Sequence, residues 1–171
     1  MTTPTYTLID SVTLSTTAAS ITFSSIPQTY RDLVIVFVPI STSAGSPFMR
    51  VNGDSSSIYY TVEAIGNGST SYSFTDTAWT SVRLSQRLFS FTDVQYQATI
   101  QIMDYTQTDK HKSMLIRANV PEDFTSGGGN NYEGASMLAA RWASTSAITS
   151  VLVDSGTLAA GTTAYLYGIA G

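Results

Sequence analysis

Leu33-Val34-Ile35-Val36-Phe37-Val38-Pro39-Ile40 is the longest apolar run in the chain. Most of it is β-branched or aromatic, which favours a pleated backbone. Asp32 bounds it on one side and the serine-containing residues 41–46 on the other, so it has the length of a strand and not of a helix. It does not alternate with polar residues. Leu33, Ile35 and Phe37 point one way, and Val34, Val36 and Val38 point the other. Both faces therefore call for cover, whereas an antiparallel sheet commonly leaves one face to water. A second sheet of the same domain covers one face. The other needs a loop or a neighbouring copy. Val34, Val36 and Val38 are thus interface candidates, together with Tyr165 and Tyr167 of the last apolar alternation. Pro39 cannot donate to a ladder, so pairing weakens or bulges there.

The rest of the chain repeats the strand signal at shorter length. Residues 6–14 alternate, with Tyr6, Leu8, Val12 and Leu14 expected on one face and Asp10 interrupting it. Ile21 and Phe23 mark a short strand, and residues 48–51 another, closed by Asn52-Gly53-Asp54. Asn-Gly is a strong hairpin signal. The alternation is plainest at 94–105, where Val94, Tyr96, Ala98, Ile100 and Ile102 interleave with Gln95, Gln97, Thr99 and Gln101. That pattern predicts a strand with one face in water. Residues 112–120 return with Met114, Ile116, Ala118 and Val120 on one face. Residues 132–144 are ambiguous. Ala, Met, Leu and Arg favour a helix by propensity, yet Ser136, Leu138, Ala140 and Trp142 line one face of a strand. Residues 164–169 place Tyr165, Tyr167 and Ile169 on one side. Roughly nine to eleven short strands separated by turn residues predict an all-β fold. The expectation is one antiparallel β-sandwich domain over residues 1–171, jelly-roll-like. Residues 1–5 would be an N-terminal extension and residues 70–92 an excursion.

Composition narrows the function classes. Only 12% of residues are charged, about half the usual share. Serine and threonine take their place. The net charge of −4 argues against nucleic-acid binding, which needs a basic stripe to displace counterions. The absence of cysteine excludes disulfides and thiolate metal sites. No apolar run approaches the roughly 20 residues of a membrane helix. Met1-Thr2-Thr3-Pro4 does not begin a signal peptide, so synthesis in a cytoplasm is expected.

No residue pattern nominates a reaction. His111 is the only histidine and sits in Asp109-Lys110-His111-Lys112, which reads as a solvated hairpin tip, not a triad member. Asn52-Gly53-Asp54-Ser55 lacks the ligand spacing and distal glutamate of an EF-hand, and an Asx turn accounts for it. Glu122-Asp123 lies in a loop and lacks that spacing too, and a carboxylate pair of the glycosidase kind meets only in three dimensions, with nothing in the sequence nominating one. Gly127-Gly128-Gly129 lacks the Gly-Lys-Ser/Thr ending of a phosphate loop. Tyr72, Phe74 and Trp79 are candidates for stacking on sugar rings, although rings in strands more commonly serve core or interface. No catalytic residue, cofactor or metal is expected.

Four segments in order, Ile21-Thr22-Phe23-Ser24-Ser25-Ile26-Pro27 with Tyr30-Arg31-Asp32-Leu33-Val34-Ile35, then Phe48-Met49-Arg50-Val51-Asn52-Gly53-Asp54, then Ala139-Ala140-Arg141-Trp142 leading to Ala147-Ile148-Thr149-Ser150, and finally residues 159–169 ending Tyr165-Leu166-Tyr167-Gly168-Ile169, resemble small virion structural proteins of tailed bacteriophages. The likeness runs from about residue 20 to the end, except residues 70–92. It implies a jelly-roll-like sandwich, a strand over residues 132–144, and assembly without catalysis. It carries over no functional residue. It implies a capsid cement or decoration protein, a homotrimer on the major capsid protein within the virion, assembled in the host cytoplasm. The chain's shortness and its own initiating methionine favour that over a fibre. The alternative it leaves is a tail-fibre or receptor-binding tip recognising a host surface glycan.

Overall fold

The computed structural model describes residues 4–42, 47–66, 69–84, 96–120 and 134–171. Among these the chain forms twelve strands and no helix. They are β1 (Tyr6–Thr13), β2 (Ile21–Phe23), β3 (Asp32–Val38), β4 (Phe48–Val51), β5 (Tyr59–Gly66), β6 (Ser71–Trp79), β7 (Val82–Arg83), β8 (Gln97–Met103), β9 (Lys112–Val120), β10 (Gly134–Trp142), β11 (Val151–Asp154) and β12 (Thr163–Ile169). An eight-stranded sheet runs β1-β12-β3-β8-β9-β10-β5-β6, and a four-stranded sheet runs β2-β11-β4-β7. All pairings are antiparallel. The result is an all-β, jelly-roll-like antiparallel sandwich.

β3 lies inside the large sheet between β12 and β8. Leu33, Ile35 and Phe37 are fully buried. They pack in one core with Ile100 and Ile102 of β8 and with Phe23, Met49, Val51 and Val151 of the small sheet. Phe37 meets Tyr96 edge to face, with ring centroids 6.4 Å apart. Each such side chain contributes about 1.5–3 kcal/mol of burial. β3 ends at Val38, one residue before Pro39. The ambiguous segment is a strand. Ser136, Leu138, Ala140 and Trp142 of β10 are all buried, on the face that packs on the core, and β9 and β5 pair the strand on its two sides.

The structure departs from the sequence expectations in three places. In β1 the register shifts between Leu8 and Asp10, so Leu8 lies opposite Tyr167 and Asp10 opposite Leu166. One inserted residue reverses the alternation. Tyr6 and Leu8 are therefore exposed, while Ile9, Val12 and Leu14 pack on the core.

The Asn52-Gly53 turn has the positive φ values of a type I′ turn, 52° and 65°. Yet its flanking strands do not pair with each other. β4 pairs with β11 and β7, and β5 with β10 and β6. The turn moves the chain from one sheet to the other. Asn52 anchors it by donating from Nδ2 to the Ala147 carbonyl (2.8 Å) and accepting at Oδ1 from the Thr149 and Ser150 amides.

Residues 70–92 are not simply an excursion. β6 closes one edge of the large sheet and β7 one edge of the small one, while residues 85–92 lie outside the described residues. Glu122-Asp123, Gly127-Gly128-Gly129 and Val94 also lie outside them.

The two faces of β3 are not equally covered. Val34, Val36 and Val38 are half-buried, unlike Leu33, Ile35 and Phe37. No second layer of the described residues lies over them.

Candidate interaction surface

The outward face of the large sheet follows from strand alternation and register. Across the sheet, Leu8 is opposite Tyr167, Tyr167 opposite Val34, and Val34 opposite Gln101. The row continues through Leu115, Ala139 and Val62. A parallel row runs Tyr165, Val36, Thr99, Arg117, Met137 and Ala64. The expected interface residues Val34, Val36, Val38, Tyr165 and Tyr167 thus come together on this face, all half-buried.

The sequence reading missed the other half of the same face. Val62 is 57% and Met137 54% exposed, and Leu115 is exposed beside them. Large apolar side chains clustered on a surface mark sites of association more than scattered ones do. The signal was present as the complement of the inward sets: if Leu138, Ala140 and Trp142 face the core, Met137, Ala139 and Arg141 face out. Only the strand order placed them next to Leu115 and Val62.

The face is grooved. A depression of about 580 Å³ crosses β8, β9, β10 and β5 and is lined by Thr99, Arg117, Asn119, Met137 and Ala64 among others. A second, of about 310 Å³, shares Thr99, Arg117 and Met137 with it and adds Gln101 and Leu115. A third, of about 340 Å³, shares no residue with these two and is lined by Tyr60, Val62 and Arg141 and, from β6, by the largely buried Asp76. Arg117 and Arg141 are exposed, and neither is in an ion pair among the described residues. The Arg141 guanidinium sits 4.4 Å from the Tyr60 ring centroid. The outward positions of these four strands hold no carboxylate, because Glu63 of β5 points inward and is buried.

The three candidate stacking rings do not form one shelf. Tyr72 and Phe74 stack on each other, with centroids 6.4 Å apart and planes 23° apart. Trp79 lies at the far end of β6, beyond a register shift, and the Arg83 guanidinium covers it at 3.7 Å.

The groups weighed for chemistry are dispersed. His111 is exposed between β8 and β9. In the same connection Lys110 pairs with Asp104 at 2.8 Å, and the hydrogen bond from Lys110 holds the Asp104 carboxyl below its usual range. Asp54 Oδ1 accepts from the Ser56 amide and hydroxyl, and its Oδ2 accepts from Trp142 Nε1 at 2.8 Å. The Ser56 hydrogen bonds, with a smaller contribution from Trp142, hold the Asp54 carboxyl below its usual range. Lys112, fully buried, donates from Nζ to the carbonyls of Gln107, Lys110 and Thr145. Among the described residues no three of the His, Cys, Asp and Glu side chains gather in a group able to hold a metal ion. No helix among them is long and apolar enough to cross a membrane.

Fold and surface together define a β-sandwich with an open, grooved outer sheet. No family model matches the chain, and no curated protein matches it. Among solved structures it is similar to the galectin LEC-6 of Caenorhabditis elegans, at 11% identity over 91% of this chain and 94% of that one, with a TM-score of 0.40. It is also similar to the PL-14 alginate lyase of Aplysia kurodai, at 7% identity over 84% of this chain and 71% of that one, with a TM-score of 0.35. Likeness at this level is one of general architecture and carries no conclusion about ligand or activity.

Proposed function

We propose that the chain is a non-enzymatic structural protein of a tailed-phage virion, a capsid cement or decoration protein that stabilises the head lattice. The observation that carries assembly over catalysis is the outward sheet face, apolar and uncovered among the described residues. Its size suits the role. Eight strands at about 4.8 Å spacing and about 20 Å length span roughly 800 Å². One partner of a standard protein interface contributes roughly 800 Å². The phage setting rests on the sequence resemblance alone. In this reading the partners are further copies, as a homotrimer, and the major capsid protein. No cofactor, nucleic acid or membrane takes part, and the protein resides in the virion after assembly in the host cytoplasm.

The test is mass by light scattering on the purified protein, followed by localisation on particles by electron microscopy. A trimer seen on the head supports the proposal. A monomer, or a protein found only at the tail, overturns the cement assignment. The stacked Tyr72 and Phe74 rings on the edge strand β6 favour a second reading, a glycan-recognising tail tip. Localisation at the tail together with glycan binding lost on Tyr72→Ala would establish it.

A further inference from the structure

The outward face carries a charge pattern of its own. Arg117 of β9 lies opposite Met137 of β10, and Arg141 follows Met137 four residues further along β10. At about 3.3 Å per residue, the two arginine levels are about 13 Å apart along the strands. Leu115, Ala139 and Val62 fill the level between them. An extended chain carries side chains i, i+2 and i+4 on one side and spans the same about 13 Å from i to i+4.

We propose that this sheet face binds an extended acidic segment of a partner protein, with carboxylates at i and i+4 meeting Arg117 and Arg141 and an apolar side chain at i+2 meeting Leu115 and Val62. This rests on the assembly reading above and names the chemistry of its docking surface. Charge complementarity selects the occupant. The four strands present two arginines and no carboxylate outward, on a chain whose net charge is −4.

No linear segment of a second copy supplies that pair. The acidic residues stand at 10, 32, 54, 63, 76, 93, 104, 109, 122, 123, 133 and 154, and no two are four apart. The partner segment therefore belongs to a different chain. An anionic glycan fits less well. Tyr60 is the only ring at the outward positions of these strands, and Arg141 already lies over it, so no free ring faces a sugar. The exposed aliphatic centre suits a polypeptide side chain.

The experiment uses the full chain and a fluorescein-labelled peptide containing Glu-Thr-Val-Thr-Glu, read by anisotropy at low salt. A Lys-Thr-Val-Thr-Lys peptide and a polyuronate oligosaccharide serve as competing probes. The acidic peptide is expected to bind, the basic one not, with affinity falling as salt screens the pairs. Arg117→Glu and Arg141→Glu should each weaken binding about tenfold or more, as loss of a charge-assisted bond does, with melting temperature unchanged because both side chains are exposed. Arg117→Gln and Arg141→Gln repeat the test if a charge reversal perturbs folding. Wild-type and variant chains binding alike, no binding of the acidic peptide, or polyuronate bound in its preference would each overturn the proposal. A head-localised protein that ignores the peptide defeats only this inference. A peptide-binding protein absent from particles defeats only the virion reading.

Discussion

At the scale of single residues, two side chains do structural work that their types do not announce. Asp54 ties the inter-sheet turn to β10 through Trp142 and closes on Ser56. Its carboxyl is held below the ordinary value of 3.8, first by Ser56. A depressed acid contributes stability that is complete above its unfolded pKa and is lost as pH falls through the folded one. The window is therefore below 3.8. Asp54→Asn is expected to lower the melting temperature at neutral pH, with the gap from wild type narrowing as pH drops through that window. A gap that stays constant to low pH would remove Asp54 from the acid limb.

Lys112 is the other case. Its ammonium holds three backbone carbonyls of the β8–β9 connection and of residue 145. Methionine in its place fills similar volume but leaves those acceptors without their donor, each costing about 1–3 kcal/mol where water cannot reach. We expect Lys112→Met to lose about 3 kcal/mol or more in urea unfolding. A change within about 0.5 kcal/mol, the range of a neutral surface substitution, would mean that water replaces the lysine.

At the scale of elements, β3 and β12 are adjacent interior strands of the large sheet. Ile35 is fully buried opposite Leu166 and Ile100. Ile35→Asp strands a charge there without a partner, a loss above about 4 kcal/mol, and should leave the chain unfolded by circular dichroism. An unchanged melting curve would place the core elsewhere. The packing of β12 is tight where Gly168 meets Tyr30. A Cβ on Gly168 would lie 2.3 Å from Tyr30 Cγ, at the root of the ring, so the ring cannot simply swing its tip aside. Gly168→Ala should cost about 1–3 kcal/mol as overpacking, and Tyr30→Ala in the same chain should recover part of it. Equal stability of Gly168→Ala and wild type would show that Tyr30 repacks freely.

At the scale of the whole molecule, the two faces of the large sheet should separate under mutation. Inward substitutions break the fold. Outward ones should leave it standing and alter association. Val34 is half-buried, level with Tyr167 and Gln101. Val34→Asp is expected to keep a cooperative melt while shifting the light-scattering mass toward the monomer, if the trimer forms through this half of the face. Loss of folding instead would mean that Val34 belongs to the core. A folded variant that stays trimeric would move self-association to another surface, with the face between Arg117 and Arg141 still open to a different partner.

Most of the strand content was legible from the chain alone, because most strands advertise themselves locally, β6 excepted. The interleaving of Ala98, Ile100 and Ile102 with Gln97, Thr99 and Gln101 is a two-residue period that needs no partner to be read, whereas Leu138, Ala140 and Trp142 sit among helix-favouring residues and are held as a strand by pairing with β9 and β5. The double-sided run of β3 also marked it as an interior strand. Local pattern does not carry an inserted residue, so the bulge in β1 reversed the expected facing of Leu8 and Ile9. Nor does it say which strands neighbour one another. Asn52-Gly53 satisfied every local demand of a hairpin, and still its strands went to different sheets. The same limit hid the surface. Arg117, Leu115, Met137 and Val62 come from three strands that are dispersed in sequence. Strand order is decided by long-range pairing and burial, and only the tertiary structure brings those four side chains onto one face.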